Sequence, residues 1–274
     1  MVPTLLLMLA KGAVENPAER YMIPRLMAKE RLDQLIVSRG LSDSREQARR
    51  LVIAGEVRVE GFDGILKPGQ KLPDDVEIIL KSKPKFVGRG GFKIEKGLDH
   101  FGIDPAGLIA LDAGASTGGF TDCLLQRGAE KVYAYDVGKN QLAWKLRSDP
   151  RVVSREGFNI RHMTPDDLPE KVDLVVIDVS FISLTLILPP VFEVLKPEGS
   201  VICLIKPQFE LKREQVGKGG VVRDSKLHDE AVAKIKDFVE NVIEKSWQGL
   251  TVSPISGGDG NVEFLAWLQN KECD

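Results

Sequence analysis

Residues 112–120 read Asp112-Ala113-Gly114-Ala115-Ser116-Thr117-Gly118-Gly119-Phe120, and the fold of most of the chain can be worked out from them. An apolar run, 109–113, leads in, and the six residues after Ala113 are all small. Such a turn lets the backbone approach a ligand at the carboxyl end of a strand, where longer side chains would hold it away. The G-x-G-x-x-G register of dinucleotide binding is not met, and no G-K-[ST] follows to clasp a triphosphate.

Outward from this turn, strand-length apolar runs at 109–113, 132–136, 152–155, 174–178, 201–205, 248–252 and 264–268 alternate with helix-length segments. That is the pattern of a parallel sheet covered on both faces, and it predicts a doubly wound α/β fold from about residue 92 onward. Asp136 closes the second run, 24 residues beyond Asp112, where an acidic side chain accepts both hydroxyls of a ribose. Together with Glu156-Gly157-Phe158-Asn159 after the third run, it points to a nucleoside cofactor, S-adenosylmethionine first. The expected contacts are the turn itself (Asp112, Gly114, Ser116, Thr117, Gly118, Gly119 and Phe120), Asp136 at the ribose and Asn159 near the adenine.

Ahead of this body the composition changes. The 274-residue chain is 43% hydrophobic with a net charge of −2, yet residues 29–93 hold fourteen Lys or Arg against ten Asp or Glu. That segment is therefore at +4 and the remainder at −6, a separation found in nucleic-acid binders. Leu32, Leu35 and Ile36 have helical spacing that Gly40 ends. Ser44 and Gln47 have capping-box form before Ala48, Leu51 and Val52, and Gly55 sits where a left-handed cap belongs. Arg45, Arg49 and Arg50 project from this second helix in a geometry suited to phosphate oxygens. Alternation at Val57 and Val59, a turn over 61–64, then Val76, Ile78 and Leu80 predict a small sheet. Residues 82–91, basic, rich in glycine and interrupted by Pro84, read as a linker. The length suits one full α/β domain and a smaller companion.

Before residue 27 this patterning is missing. The apolar run 4–10 is too short to span a bilayer and has no basic region before it, so residues 1–26 are expected to form a loosely ordered extension. Cys123, Cys203 and Cys273 fit neither a disulfide framework nor a metal pair, and His100, His162 and His228 are equally scattered. A reducing, cytoplasmic setting without a catalytic metal is expected.

The string RLDQLIVSRGLSDSREQARRLVIAGEVRVEG, residues 31–61, with Lys67-Pro68-Gly69 after it, resembles the RNA-binding domain typified by ribosomal protein S-four, over residues 29–81. The resemblance implies that Arg31, Arg45, Arg49 and Arg50 touch RNA backbone and read folded shape more than sequence; Arg89 of the linker is expected to join them. Further on, Lys93, the 112–120 turn, Val176-Ile177-Asp178-Val179-Ser180-Phe181, Ile205-Lys206-Pro207-Gln208-Phe209-Glu210 and Asn261-Val262-Glu263-Phe264 resemble, in order and spacing, the haemolysin-like TlyA family of ribosomal RNA methyltransferases, relatives of the FtsJ type. The resemblance implies a Rossmann-like methyltransferase domain, 92–274, preceded by a small α+β RNA-binding domain, 27–81. It also implies methylation of cytidine 2′-hydroxyls, with ribosomal RNA or ribosomal subunits as partner and no membrane. The family's Lys-Asp-Lys-Glu set carries over to Lys93, Asp178, Lys206 and Glu263. The chain departs from the family at Gly88, where a serine is expected before Arg89-Gly90.

A ribose hydroxyl is a poor nucleophile and needs a base close to bond formation. Lys206 is the expected base, Asp178 and Glu263 orient the lysines, and Lys93 positions the ribose or a phosphate. Residues 207–224, with Lys212, Arg213, Lys218 and Arg223 among glycines, read as a mobile substrate loop. The competing readings are a non-catalytic RNA-binding or ribosome-assembly factor, a pore former suggested by the haemolysin name, and methylation of a base.

Overall fold

The computed structural model describes residues 29–42, 44–81, 85–257 and 260–271; the expectation for residues 1–26 falls outside them. The chain divides into two compact units, one ending at Lys83 and one beginning at Pro84. In the smaller unit, β1 (Lys29–Arg31) leads into α1 (Leu32–Ser38), followed by α2 (Arg45–Ile53), β2 (Val57–Val59), β3 (Lys71–Pro73) and β4 (Ile78–Leu80). Leu32, Leu35 and Ile36 of α1 share a core with Ala48, Val52, Val57, Val59, Leu72 and Ile78. Ser44 caps α2 by accepting from Gln47 N at 3.2 Å, and Gly40 and Gly55 both lie at positive φ, +68° and +71°, as terminators do. The expected small sheet is instead two antiparallel ladders, β1 with β3 and β2 with β4.

The larger unit runs α3 (Gly90–Phe101), β5 (Ile109–Ala113), α4 (Gly119–Gln126), β6 (Lys131–Asp136), α5 (Trp144–Arg147), β7 (Val152–Glu156), β8 (Val172–Ile177), α6 (Leu188–Val194), β9 (Leu195–Ile205), α7 (Pro207–Glu210), α8 (Ser225–Asp237), β10 (Ser246–Val252) and β11 (Phe264–Gln269). Seven strands among the described residues form one sheet in the order β10-β11-β9-β8-β5-β6-β7. Side chains alternate across it. Leu111, Val175, Ile177, Val201 and Cys203 meet Val191 of α6 and Ile235 of α8 on one face. Ala110, Leu174, Val176, Ile202 and Leu204 meet Ile94 and Leu98 of α3 and Leu124 of α4 on the other. Burial on both faces is why these strands read as unbroken apolar runs.

The sheet is not wholly parallel: β11 runs antiparallel to both β9 and β10. A buried apolar run carries no sign of its direction, so the alternation of runs could not disclose this. The reversal has a geometric effect. Phe264, at the start of β11, sits opposite Ile205, at the end of β9, so the residue before β11 arrives at the carboxyl edge of its neighbours.

Two segments differ from expectation. Within 82–91, Phe86 is 3% exposed and packs into the layer holding Ile94 and Phe120, while Val87 N donates to Asp122 Oδ2 at 2.9 Å. A Cβ on Gly91 would lie 2.3 Å from the Phe86 ring, and one on Gly119 would lie 2.9 Å from Gly91 N. The glycines read as linker composition are therefore a close backbone packing of this segment on α4. Residues 207–224 are likewise held. Buried Asn261 accepts from Val222 N and donates to Gly220 O, both at 2.9 Å, and buried Glu210 accepts from Ser183 Oγ, Leu184 N and Lys234 Nζ. Among the described residues no helix is long and apolar enough to cross a membrane.

Candidate active site

From β5 the chain turns to β6 on one side of the sheet and later crosses to β8 on the other, and a crevice opens at such a switch point. Gly114, at φ +91°, stands at its floor; a Cβ there would lie 2.5 Å from the Asp178 carbonyl oxygen. Gly114 N and Ala115 N both donate to Tyr135 O, and Ser116 takes φ +49°. The Asp136 carboxylate accepts from Ser116 N at 2.7 Å and from Gly138 N at 2.6 Å, which fixes both of its oxygens at the mouth of β6. The cleft here measures about 560 Å³ and is lined by Gly114, Ser116, Asp136, Asn159, the apolar Val137, Phe158, Ile160 and Ile187, and Asp178. Asn159 Oδ1 accepts from Arg161 N.

A second chamber of about 370 Å³ adjoins it, sharing Gly114, Ser116, Asp178, Ser180 and Phe181. Thr117, Gly119 and Phe120 line this chamber and not the first. Two expected contacts reach neither. Gly118 turns away, and a Cβ there would meet Leu146 and Leu142. Asp112 is wholly buried, because the strand's alternation sends it to the α4 side with Ala110. Its Oδ2 accepts from Thr121 N and Oγ1 at 2.9 and 2.7 Å, its Oδ1 has no partner, and burial pushes the carboxyl up to about 7.

The second chamber brings together Lys93 from the first turn of α3, Asp178 after β8, Lys206 after β9 and Glu263 before the reversed β11. Lys93 Nζ lies 2.6 Å from Glu263 Oε2 and 3.8 Å from Asp178 Oδ2, and Lys206 Nζ lies 2.6 Å from Asp178 Oδ1. Lys206 also donates to Ser180 Oγ at 2.9 Å. Lys93, Lys206 and Glu263 are buried, so the two positive and two negative charges compensate one another out of water, as burial requires.

Among the lining residues not singled out from the sequence are Phe181, Phe209 and Gln208. Phe181 is 90% exposed at φ +65°, an unusual conformation for a bulky residue, with its ring centroid 5.0 Å from that of Phe209. Gln208 Oε1 is buried with no hydrogen-bond partner. A phenylalanine after an apolar strand reads as core, so only Gln208, polar between Pro207 and Phe209, carried a usable signal.

In the smaller unit, Arg31 clasps Asp33 through two bonds of 2.9 and 2.8 Å, and Arg45 reaches it at 3.3 Å. Asp33 is fully buried, and the Arg31 hydrogen bonds hold its carboxyl down at about 2. Arg50 pairs with Glu46. Arg49 is exposed and has no ion pair among the described residues. In the larger unit, Arg89 is exposed just ahead of α3.

Strand order, the switch-point cleft and the reversed strand place the larger unit among Rossmann-like transferases that use a nucleoside cofactor. A family model described as FtsJ-like methyltransferase matches residues 86–270 and an S4 domain model matches residues 30–61; the chain belongs to the FtsJ-like methyltransferase family. It is 49% identical to the "Putative rRNA methyltransferase YqxC" of Bacillus subtilis, over 88% of this chain and 85% of that one. It is 43% identical to the "16S/23S rRNA (cytidine-2'-O)-methyltransferase TlyA" of Mycobacterium tuberculosis, over 89% and 91%. A solved structure described as "Putative hemolysin from Streptococcus thermophilus" superposes with a TM-score of 0.68 at 48% identity, covering 90% of each chain.

Proposed function

We propose that this protein transfers the methyl group of S-adenosylmethionine to cytidine 2′-hydroxyls of ribosomal RNA. The observation that carries the reading is the Lys93–Asp178–Lys206–Glu263 cluster beside a cleft of nucleoside size. The reaction named for the Mycobacterium tuberculosis relative is this one, and the S4 match supplies an RNA-binding unit. A ribosomal substrate puts the work in the cytoplasm.

The first chamber fits an adenosine-bearing cofactor. Gly114 leaves no room for a side chain, Asp136 presents a fixed carboxylate for the ribose hydroxyls, and Val137, Phe158, Ile160 and Ile187 give an apolar wall for the adenine beside Asn159. When bound, S-adenosylmethionine supplies a methyl group activated by a sulfonium charge. The backbone at Gly114 and Ser116, common to both chambers, would hold the cofactor, while Thr117, Gly119 and Phe120 line the second chamber.

Lys206 acts as base after giving up its own proton to solvent: the neutral Nζ takes the proton of the attacking hydroxyl, and Asp178 Oδ1 at 2.6 Å stabilises the ammonium that results. Ser180 Oγ fixes the direction of Nζ. Glu263 holds Lys93 where it can position the ribose or its phosphate. The rings of Phe181 and Phe209 offer a face on which an unstacked base can rest. Arg49 and Arg89 are exposed for phosphate, whereas Arg31 and Arg45 first secure Asp33.

Tritium transfer from labelled cofactor to ribosomal RNA, followed by mapping of 2′-O-methyl groups, tests the proposal. Label on cytidine riboses is expected; label on a base, or none, overturns it.

A further inference from the structure

Among the described residues lining the second chamber, Gln208 has a buried side-chain oxygen without a hydrogen-bond partner. An acceptor taken out of water without a donor is costly, and such an atom in a functional cavity marks a place where a ligand completes the bonding. Gln208 lines the chamber together with Lys206, Phe209, Glu263 and Asp178. Its neighbours Lys93 and Lys206 are already engaged by Glu263, Asp178 and Ser180.

Strand order decides which ligand supplies the donor. Along the carboxyl edge come Asp136 at the end of β6, the glycine turn after β5, Asp178 just after β8 and Lys206 just after β9, with Gln208 two residues further on in α7. Neighbouring strands are about 4.8 Å apart. The end of β9, which α7 and Gln208 directly follow, is thus three strands from the ribose-binding Asp136 and on the far side of Asp178 from it, where the acceptor nucleotide has to enter. A cytidine inside an RNA chain has two kinds of hydrogen-bond donor, the reacting 2′-hydroxyl and the exocyclic amine of the base. Lys206 and Asp178 attend to the first. We infer that Gln208 Oε1 accepts a hydrogen bond from the exocyclic amine of the target cytosine and so selects cytidine over uridine, which has a carbonyl at that position. The inference rests on the proposed 2′-O-methylation and adds to it the group that reads the base. A site built to bond a polar group rejects the analogue lacking it, because its own buried atom is then left unpaired.

The test compares kcat/KM on ribosomal RNA whose mapped target is cytidine, uridine or 2-pyrimidinone riboside, which lacks the amine. The wild type is expected to favour cytidine over both by at least about tenfold. In Gln208→Leu the preference is expected to fall to within about threefold, with the affinity for S-adenosylhomocysteine unchanged and the melting temperature no lower than that of the wild type. Equal use of the three targets by the wild type overturns the inference while leaving the methylation reading intact. Full preference retained in Gln208→Leu, with weaker S-adenosylhomocysteine binding, assigns the oxygen to the cofactor and also overturns it. Absence of methyl transfer to any ribose removes both readings together. Should Gln208→Leu fail to fold, the wild-type comparison of the three targets still decides.

Discussion

Lys206 has two acceptors, Asp178 and Ser180, and no role in the first chamber. Lys206→Ala is therefore expected to keep S-adenosylhomocysteine binding by calorimetry and lose at least about 10²-fold in methyl transfer; near-normal turnover would remove it from the chemistry. Asp112 acts on stability instead. Its carboxyl is raised to about 7 in the folded chain, so between about pH 4 and pH 7 the folded state holds a proton that the unfolded state has lost. Stability falls as pH rises through that window, by about 1.4 kcal/mol per pH unit for this one group. Asp112→Asn keeps an acceptor for Thr121 and has no such titration, so its melting temperature relative to wild type is expected to climb from pH 5 to pH 7; a constant difference would contradict this. Asp178, Lys206 and Glu263 were legible as charges set beside apolar runs, and Lys93 through the family resemblance. Phe181 was not, because its exposure follows from a left-handed backbone that nothing in Val179-Ser180-Phe181 announces. Arg31 shows the reverse gap: its charge was legible, but its engagement with buried Asp33 was not. Arg31→Ala is expected to lower the melting temperature of the smaller unit, and Arg49→Ala to weaken RNA binding without that loss.

Elements formed where pattern and packing agree. The bounds of β5 are those the sequence predicts, since an apolar run ends at glycine. β1 and β3, Lys-Glu-Arg and Lys-Leu-Pro, have no pattern of their own and exist only through their pairing. The 207–224 loop was misread for a related reason. Its glycines and charges signal freedom, but it is held by side chains whose partners are distant in sequence, among them Asn261, some forty residues away. Asn261→Ala leaves Val222 N and Gly220 O without that partner, at a cost of about 1–3 kcal/mol. Trypsin is then expected to cut at Lys218 in the variant well before the wild type is cut there. Equal cleavage rates would show that the loop is held by other means.

Each unit has its own apolar core, one around Leu32 and Val57 and the other in two layers about the large sheet. Two thermal transitions are expected, and S-adenosylhomocysteine at a hundredfold its Kd should raise only that of residues 85–271, by about 2.7 kcal/mol or roughly 5–10 °C. A single transition that shifts as a whole would count against independent cores. Composition disclosed this division, because the basic excess and the short helices precede residue 82 and the long apolar runs follow it. The direction of β11 could not be disclosed in that way, and it governs how the molecule comes into being. Because β11 lies between β9 and β10, the earlier-made β10 emerges from the ribosome with no sheet to join until the later strand arrives. Glu263, at the mouth of that strand, then closes on Lys93 across 170 positions of chain. A nascent copy therefore has the Asp136 side of the sheet in place before Lys93 can meet Glu263.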